Sequence, residues 1–301
     1  MNDHTGDIKD TLGDVQIVDC EQCGYVHKAP LPKPDEWKEY YLKLFYSQED
    51  KFTYLEDTEA DAEYRELLHQ DKYENLIRLN PASRARSLLD IGSSGGNFIA
   101  YFQAQGWDVL GVEPSNAAFE FAKAKSRPTE HSYIEEYLDK SDRQFDVVHM
   151  REVLDNILNP SEVLTSIRER HLNSDGILIV DTSNDYNDFQ ECVRQVLGTK
   201  PWWIEGDTLN FFTRQTLRRL FEEAGYDVIH EEATFPLEMF ILMGDNYLGA
   251  ADVGRKMHLK RVQFEVALTH AGMQAVKRRF YSALAQAGLG RNIIMYGRPR
   301  Q

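Results

Sequence analysis

From residue 85 onward the chain alternates short apolar runs with stretches of helical spacing. Ser87-Leu-Leu-Asp-Ile91 is the first such run and ends in a glycine-rich turn. Phe98 to Gln105 predicts a helix stopped by Gly106, Asp108-Val-Leu-Gly-Val112 a second strand, and Asn116 to Lys125 a second helix. A third strand is expected ahead of Ile134. Phe145 to Met150 and Gly176 to Val180 read as further strands, with a helix over 161–170 between them and Ser161 as its cap after Pro160. Thr213 caps a helix that Gly225 ends, and Tyr226 to Ile229 follows as a strand. Residues 235–290 look helical, and Asn292 to Tyr296 supplies one last strand. This rhythm predicts an α/β fold: a doubly wound, mostly parallel sheet with helices on both faces.

Ahead of this region the texture differs. Residues 36–80 are dense in charge and aromatics, with Tyr64, Leu67, Leu68, Leu76 and Ile77 at helical spacing until Asn80-Pro81 breaks the pattern. Residues 1–35 are expected to be turn-rich. The organisation predicted is a segment over 1–35, helices over 36–80, and a domain over 81–301 with a helical insertion at 235–290.

Composition narrows the class. The chain has 301 residues, with 15 Phe, 15 Tyr and 4 Trp to build a core. No apolar run reaches the roughly 18 residues needed to span a bilayer. The start carries no export signal, and three cysteines do not make a disulfide scaffold, so a reducing cytoplasm is expected. The net charge of −15 argues against a sequence-independent nucleic-acid binder. That charge is uneven: residues 251–301 hold ten Lys/Arg against Asp252 and Glu265, so they are +8 and the first 250 residues are −23.

The sharpest chemical signal is Leu88-Leu-Asp-Ile-Gly-Ser-Ser-Gly-Gly-Asn-Phe98, where strand turns into helix. Glycine there permits close backbone approach to a ligand, beyond the carboxyl ends of the strands. The spacing is not G-x-G-x-x-G, which weakens a nicotinamide-dependent hydride chemistry. Glu113 ends the second strand, 23 residues after Asp90, where a carboxylate can accept two hydrogen bonds from a ribose diol.

Asp90-Ile-Gly-Ser-Ser-Gly-Gly96, Gly111-Val-Glu-Pro-Ser115, Phe145 to Leu154, Phe211 to Leu217 and Phe221 to Tyr226 together resemble the motifs of class I S-adenosylmethionine-dependent methyltransferases. Ser94 departs from the usual middle glycine. The resemblance implies a seven-stranded, Rossmann-like sheet. It also implies that the turn, from Asp90 through Gly92, Ser94 and Gly96 to Phe98, holds the methionine part of S-adenosylmethionine. Glu113 would bind the ribose, with Pro114 and Ser115 beside it. Ile134 and Glu135 would flank the adenine, and Arg151 and Glu152 would lie beneath the sulfonium and the acceptor.

Cys20-x-x-Cys23-Gly-x-x-His27 has the spacing of half a structural zinc site. His4 and, at long range, His258 are candidates for a fourth ligand; a metal-free remnant is the alternative. The segment resembles the amino-terminal piece of methyltransferases acting on nucleotide-linked or polymer-linked sugars, many of which carry two Cys pairs.

A hydroxyl or carbon acceptor also needs a base. Two histidines common in related enzymes are replaced here, by Asp155-Asn156-Ile157 and by the stretch 206–212. Asp155, Asp181, Asn184, Tyr186 and Asp207 remain as candidates near strand ends, while His149 within an apolar strand reads as a core residue. Trp202-Trp203 suits the apolar faces of sugar rings or a lid over a small molecule, with a plain packing role as the alternative. Inserted helices at 235–290 usually build the acceptor site in this superfamily, so Arg255, Lys260 and Arg261 are placed to meet a phosphate. The expected activity is methylation of a sugar, as a nucleotide-sugar or a surface-glycan precursor. Methylation of a small natural product at oxygen or nitrogen, and a non-catalytic S-adenosylmethionine-binding partner subunit, are the alternatives.

Overall fold

The structure is a computed structural model and describes residues 4–44, 61–80, 86–204 and 208–300. The first residues, expected to be turn-rich, instead form three antiparallel strands: β1 (Gly6–Leu12), β2 (Val15–Cys20) and β3 (Val26–Ala29). β1 leaves most of its side chains in solvent, so it carries no apolar run that would mark it as a strand; β2 and β3 bury Ile17, Val18, Cys20, Val26 and His27. A short helix α1 (Pro34–Glu39) runs into a π-helical turn over Tyr40–Leu44, and α2 (Ala62–Leu79) precedes the main domain.

The domain then runs β4 (Ser87–Ile91), α3 (Asn97–Ala104), β5 (Asp108–Glu113), α4 (Asn116–Ala124), β6 (Thr129–His131), α5 (Ile134–Lys140) and β7 (Phe145–Arg151). After it come α6 (Pro160–Ser166), β8 (Leu172–Ser183), α7 (Asp188–Leu197), β9 (Asn210–Phe211), α8 (Arg214–Glu223) and β10 (Tyr226–Ala233). The insertion supplies α9 (Glu238–Leu242), α10 (Ala251–His270) and α11 (Gln274–Gln286) before β11 (Asn292–Pro299). Two local expectations shift. Pro160, with its preset φ, opens α6, so Ser161 lies inside the helix and does not cap it. β8 starts at Leu172, straight out of a π-helical turn, where the apolar run had suggested Gly176. Thr213 caps α8 as expected, in a reciprocal box with Thr216.

Seven strands form one sheet in the order β10-β11-β8-β7-β4-β5-β6. All neighbours are parallel except β11, which runs antiparallel to both β8 and β10. One face packs Leu76 of α2 and Phe98, Ile99 and Phe102 of α3 against Leu88, Val147, Ile179 and Tyr296. The other packs α5, α6 and α8 against Leu89, Val148, Leu178 and Met295. Burial on both faces is why the central strands are near-continuous apolar runs. The chain winds outward in both directions from β4 and β7, so their carboxyl ends form the switch point where such sheets bind ligands.

A second sheet, β1-β2-β3-β9, joins the amino-terminal strands to the segment just before α8. The insertion docks on α2 through charge: Lys277 sits 2.6 Å from Asp71 and 3.0 Å from Glu265, and Arg278 2.9 Å from Glu74. No described helix is long and apolar enough to cross a membrane.

Candidate active site

The turn after β4 brings its backbone against the end of β5. Gly92 and Ser93 both donate their amides to the Val112 carbonyl, at 2.8 and 3.2 Å. Gly92 has φ +67°, and a Cβ there would lie 2.4 Å from Val153 Cγ2, so glycine is required for both conformation and space. Ser94 takes φ +50° without being glycine. Its contribution is its backbone: the Ser94 amide donates to Glu113 Oε2 at 2.8 Å, and the Ser115 amide to Oε1 at 2.8 Å. Each carboxylate oxygen keeps a further lone pair for a hydroxyl. Burial pushes the Glu113 carboxyl up to about 7, against the pull of those two amides.

The other residues expected around this turn fall into place unequally. Asp90 is buried with its Oδ1 2.7 Å from His149 Nδ1, and Phe98 stacks on that imidazole at 3.9 Å between ring centres. Burial lowers the His149 pKa against the pull of Asp90. His149 is thus a paired core residue, as its apolar strand suggested. The Pro114 carbonyl accepts from His131 at 3.0 Å, Ile134 lies in the core at the start of α5, and Glu135 is exposed.

A cavity of about 240 Å³ opens between the carboxyl ends of β7, β8 and β10, the start of β11, and the three helices α2, α10 and α11. Among the described residues, its aliphatic wall is limited to Leu68, Ala233 and Ile294; most of the rest is charged. On its floor Lys72, 6% exposed, lies 2.8 Å from Asp181. Arg151 is 3.6 Å from the same carboxylate. Burial works to raise the Asp181 carboxyl, but Lys72 and Arg151 outweigh it and hold it at about 2. Asn292 donates to both Asp181, at 2.9 Å, and Glu152. Glu152 has φ +52°, a strained conformation for a side chain, and burial next to Asp181 raises its pKa.

Two cavity arginines are less fully satisfied. Arg261 contacts His258 at 3.0 Å and the Tyr64 ring at 5.3 Å, and no carboxylate of the described residues lies within ion-pair distance of it. Arg291 reaches Glu238 at 3.6 Å and Asp185 at 3.8 Å, and its Nη1 makes no hydrogen bond. Arg255 and Lys260 do not line the cavity: they are exposed and pair with Asp252 and Asp245. Of the three, only Arg261 lines the cavity.

The catalytic candidates also separate. Asp155 is buried behind the cavity, and burial, with Glu152 and Asp185 nearby, raises its carboxyl well above the usual range. Asn184 spends its amide on the carbonyls of Gly288 and Gly290, at 2.9 and 3.0 Å, and so anchors the approach to β11. Tyr186 packs edge-on to Trp203 and Phe211. Trp202 and Trp203 belong to that same cluster, with Ile17 and Val26 of the amino-terminal sheet, and not to the cavity wall. Asp207 lies outside the described residues.

The amino-terminal turn gathers His4, Cys20, Cys23 and His27, whose ligand atoms all lie within 4.8 Å of one another. His4 Nδ1 is 3.5 Å from Cys20 Sγ and 3.3 Å from Cys23 Sγ, close to the roughly 3.5 Å edge of a tetrahedral zinc site with one sulfur and one nitrogen ligand. His27 Nδ1 donates to the Lys28 carbonyl at 2.8 Å, while its Nε2 is buried with no hydrogen-bond partner. That is the tautomer a metal-bound histidine needs. His258, the long-range candidate, is instead 2.7 Å from Asp61 on the far helices.

Lys72, Arg291 and Asn292 were not singled out from sequence. Each takes its role from a partner more than a hundred residues away, and a lysine in a charged helix or an asparagine opening a strand gives no local sign of it.

Residues 61–231 match the family described as methyltransferase domain. No curated protein sequence matches the chain. Among solved structures the chain is similar to the plantazolicin methyltransferase BamL, in complex with a triazolic desmethylPZN analog and S-adenosylhomocysteine. The identity is 12%, with 88% of this chain and 97% of that one covered and a TM-score of 0.54. It is similar also to the plantazolicin methyltransferase BpumL bound to S-adenosylhomocysteine (12%, 89% and 98%, 0.52). A third is the putative methyltransferase of Haloferax volcanii in complex with its Trm112 activator (13%, 83% and 95%, 0.50). At such identities these likenesses show the fold alone.

Proposed function

The chain belongs to the S-adenosylmethionine-dependent methyltransferase domain family, and on that premise we propose that it methylates a sugar bearing an anionic group. The acceptor is a nucleotide-sugar or a surface-glycan precursor, met in the cytoplasm. The observation that carries this reading is the cavity itself. A cavity of 240 Å³ lined mainly by charged residues suits a polyhydroxylated acceptor, whose hydroxyls can hydrogen-bond to them. Arg261, with no carboxylate of the described residues in ion-pair distance, and Arg291, whose Nη1 makes no hydrogen bond, are its natural grip on a phosphate.

S-adenosylmethionine supplies an activated methyl for in-line displacement. The turn at 92–96 and Glu113 would hold the cofactor, and the strained Glu152, on the cavity wall, would face the acceptor. The domain over 81–301 carries this chemistry, with α2 packed against it. His4, Cys20, Cys23 and His27 hold a structural zinc in the segment over 1–35.

Methyl release measured over a panel of nucleotide-sugars, amines and phenols tests the assignment. Turnover is expected with phosphate-bearing sugars, with KM rising about tenfold in Arg261→Ala and in Arg291→Ala, while Arg255→Ala and Lys260→Ala leave it unchanged. Turnover confined to phenols or amines would show a natural-product enzyme. Tight S-adenosylhomocysteine binding without any turnover would show a partner subunit.

A further inference from the structure

Four successive carbonyls follow β7: Leu154, Asp155, Asn156 and Ile157. Each accepts a hydrogen bond from outside the loop. Asn210 Nδ2 donates to Ile157 at 2.7 Å and to Leu154 at 3.3 Å. The Leu209 amide donates to Asp155 at 3.0 Å, and Trp37 Nε1 to Asn156 at 2.8 Å. Trp37 belongs to α1, just after the amino-terminal strands. Asn210, 2% exposed, is on β9, which pairs with β3, and its register partner there is His27. The Lys28 amide in turn donates to the Leu209 carbonyl at 2.9 Å, and the Lys28 carbonyl accepts from His27 Nδ1.

We infer that Asn210 is a positioning residue, through which the His4–Cys20–Cys23–His27 cluster fixes the loop over 152–157. The physical reason is that carbonyls in a short loop hold one conformation only when their donors are themselves fixed. Asn210 is held by the strand that carries His27, and a metal on His27 would fix that strand. The loop begins with Glu152 on the cavity wall and presents Asp155 behind it, so the appendage sets the shape of the reaction site without touching it. The inference rests on the reading of this loop as part of that site, and its coupling arm on the reading of the cluster as a metal site.

Hydrogen exchange of the peptide over 152–158, followed by mass spectrometry on the full chain, tests it without knowledge of the acceptor. In wild type, removal of metal by a chelator is expected to speed exchange there about tenfold, with S-adenosylhomocysteine affinity changed less than threefold. Asn210→Ala, still loaded with metal, is expected to exchange about tenfold faster already, and chelation adds less than twofold more. Trp37→Phe, which removes only the N–H and keeps the ring, is expected to give a smaller rise of the same kind. Unchanged loop exchange in Asn210→Ala, or the full chelation effect persisting in it, overturns the proposed role. Protein purified with no metal overturns the coupling to the cluster, while the two variants still report on the carbonyl grip. Loss of methyl transfer to every acceptor would count against the functional reading and leave these exchange rates as they are.

Discussion

On the proposed role, Glu113 must be charged to accept a ribose hydroxyl on each oxygen, yet burial pushes its carboxyl up to about 7 in the ligand-free protein. The sign of the consequence follows. Below pH 7 the proton must leave before the diol can bind, so cofactor affinity rises with pH and levels off above the pKa. S-adenosylhomocysteine is expected to bind about tenfold more weakly at pH 6 than at pH 8. Calorimetry in buffers of different ionisation enthalpy should register proton release near pH 7, and Glu113→Gln should abolish both the release and the slope. Affinity independent of pH in wild type would remove the ribose assignment. The same residue shows how far local sequence carries. An acid at the end of the second strand was legible from spacing, whereas its titration depends on two amides, from Ser94 and Ser115, that only the folded turn aims at it.

Elements differ in how plainly they announce themselves. β4, β7 and β8 are buried on both faces and read directly as apolar runs. β1 leaves most of its side chains in solvent and gives no apolar run, although with β2 and β3 it forms the sheet beside the His4–Cys20–Cys23–His27 cluster. The tryptophan pair at 202–203 admits two readings, a sugar platform or packing, and the rings pack on the amino-terminal sheet. For the appendage, metal analysis should find about one zinc per chain in wild type and none in Cys20→Ser. The loss is expected to cost a few kcal/mol and lower Tm by roughly 5–10 °C. A Tm within 1 °C of wild type, with no metal in either protein, would make the cluster a metal-free remnant.

At the scale of the whole molecule, strand order was within reach of sequence because the alternation of strands and helices admits few windings. What sequence does not contain is the meeting of distant polar groups on one floor, where α2, β8 and β11 bring Lys72, Asp181 and Asn292 together. β11 has a further consequence. It slots between β8 and β10, and those two strands have no pairing with each other. A chain shortened at residue 291 would therefore expose two bare strand edges at once, one of them on the most buried strand of the sheet. Such fragments are expected to be adhesive, and not merely inactive. Light scattering of the shortened chain should show assemblies growing with concentration where the full chain stays dispersed, and a dispersed, folded fragment would refute the expectation. By this logic a nick near the insertion that releases β11 turns a folded chain into a seed for co-aggregation.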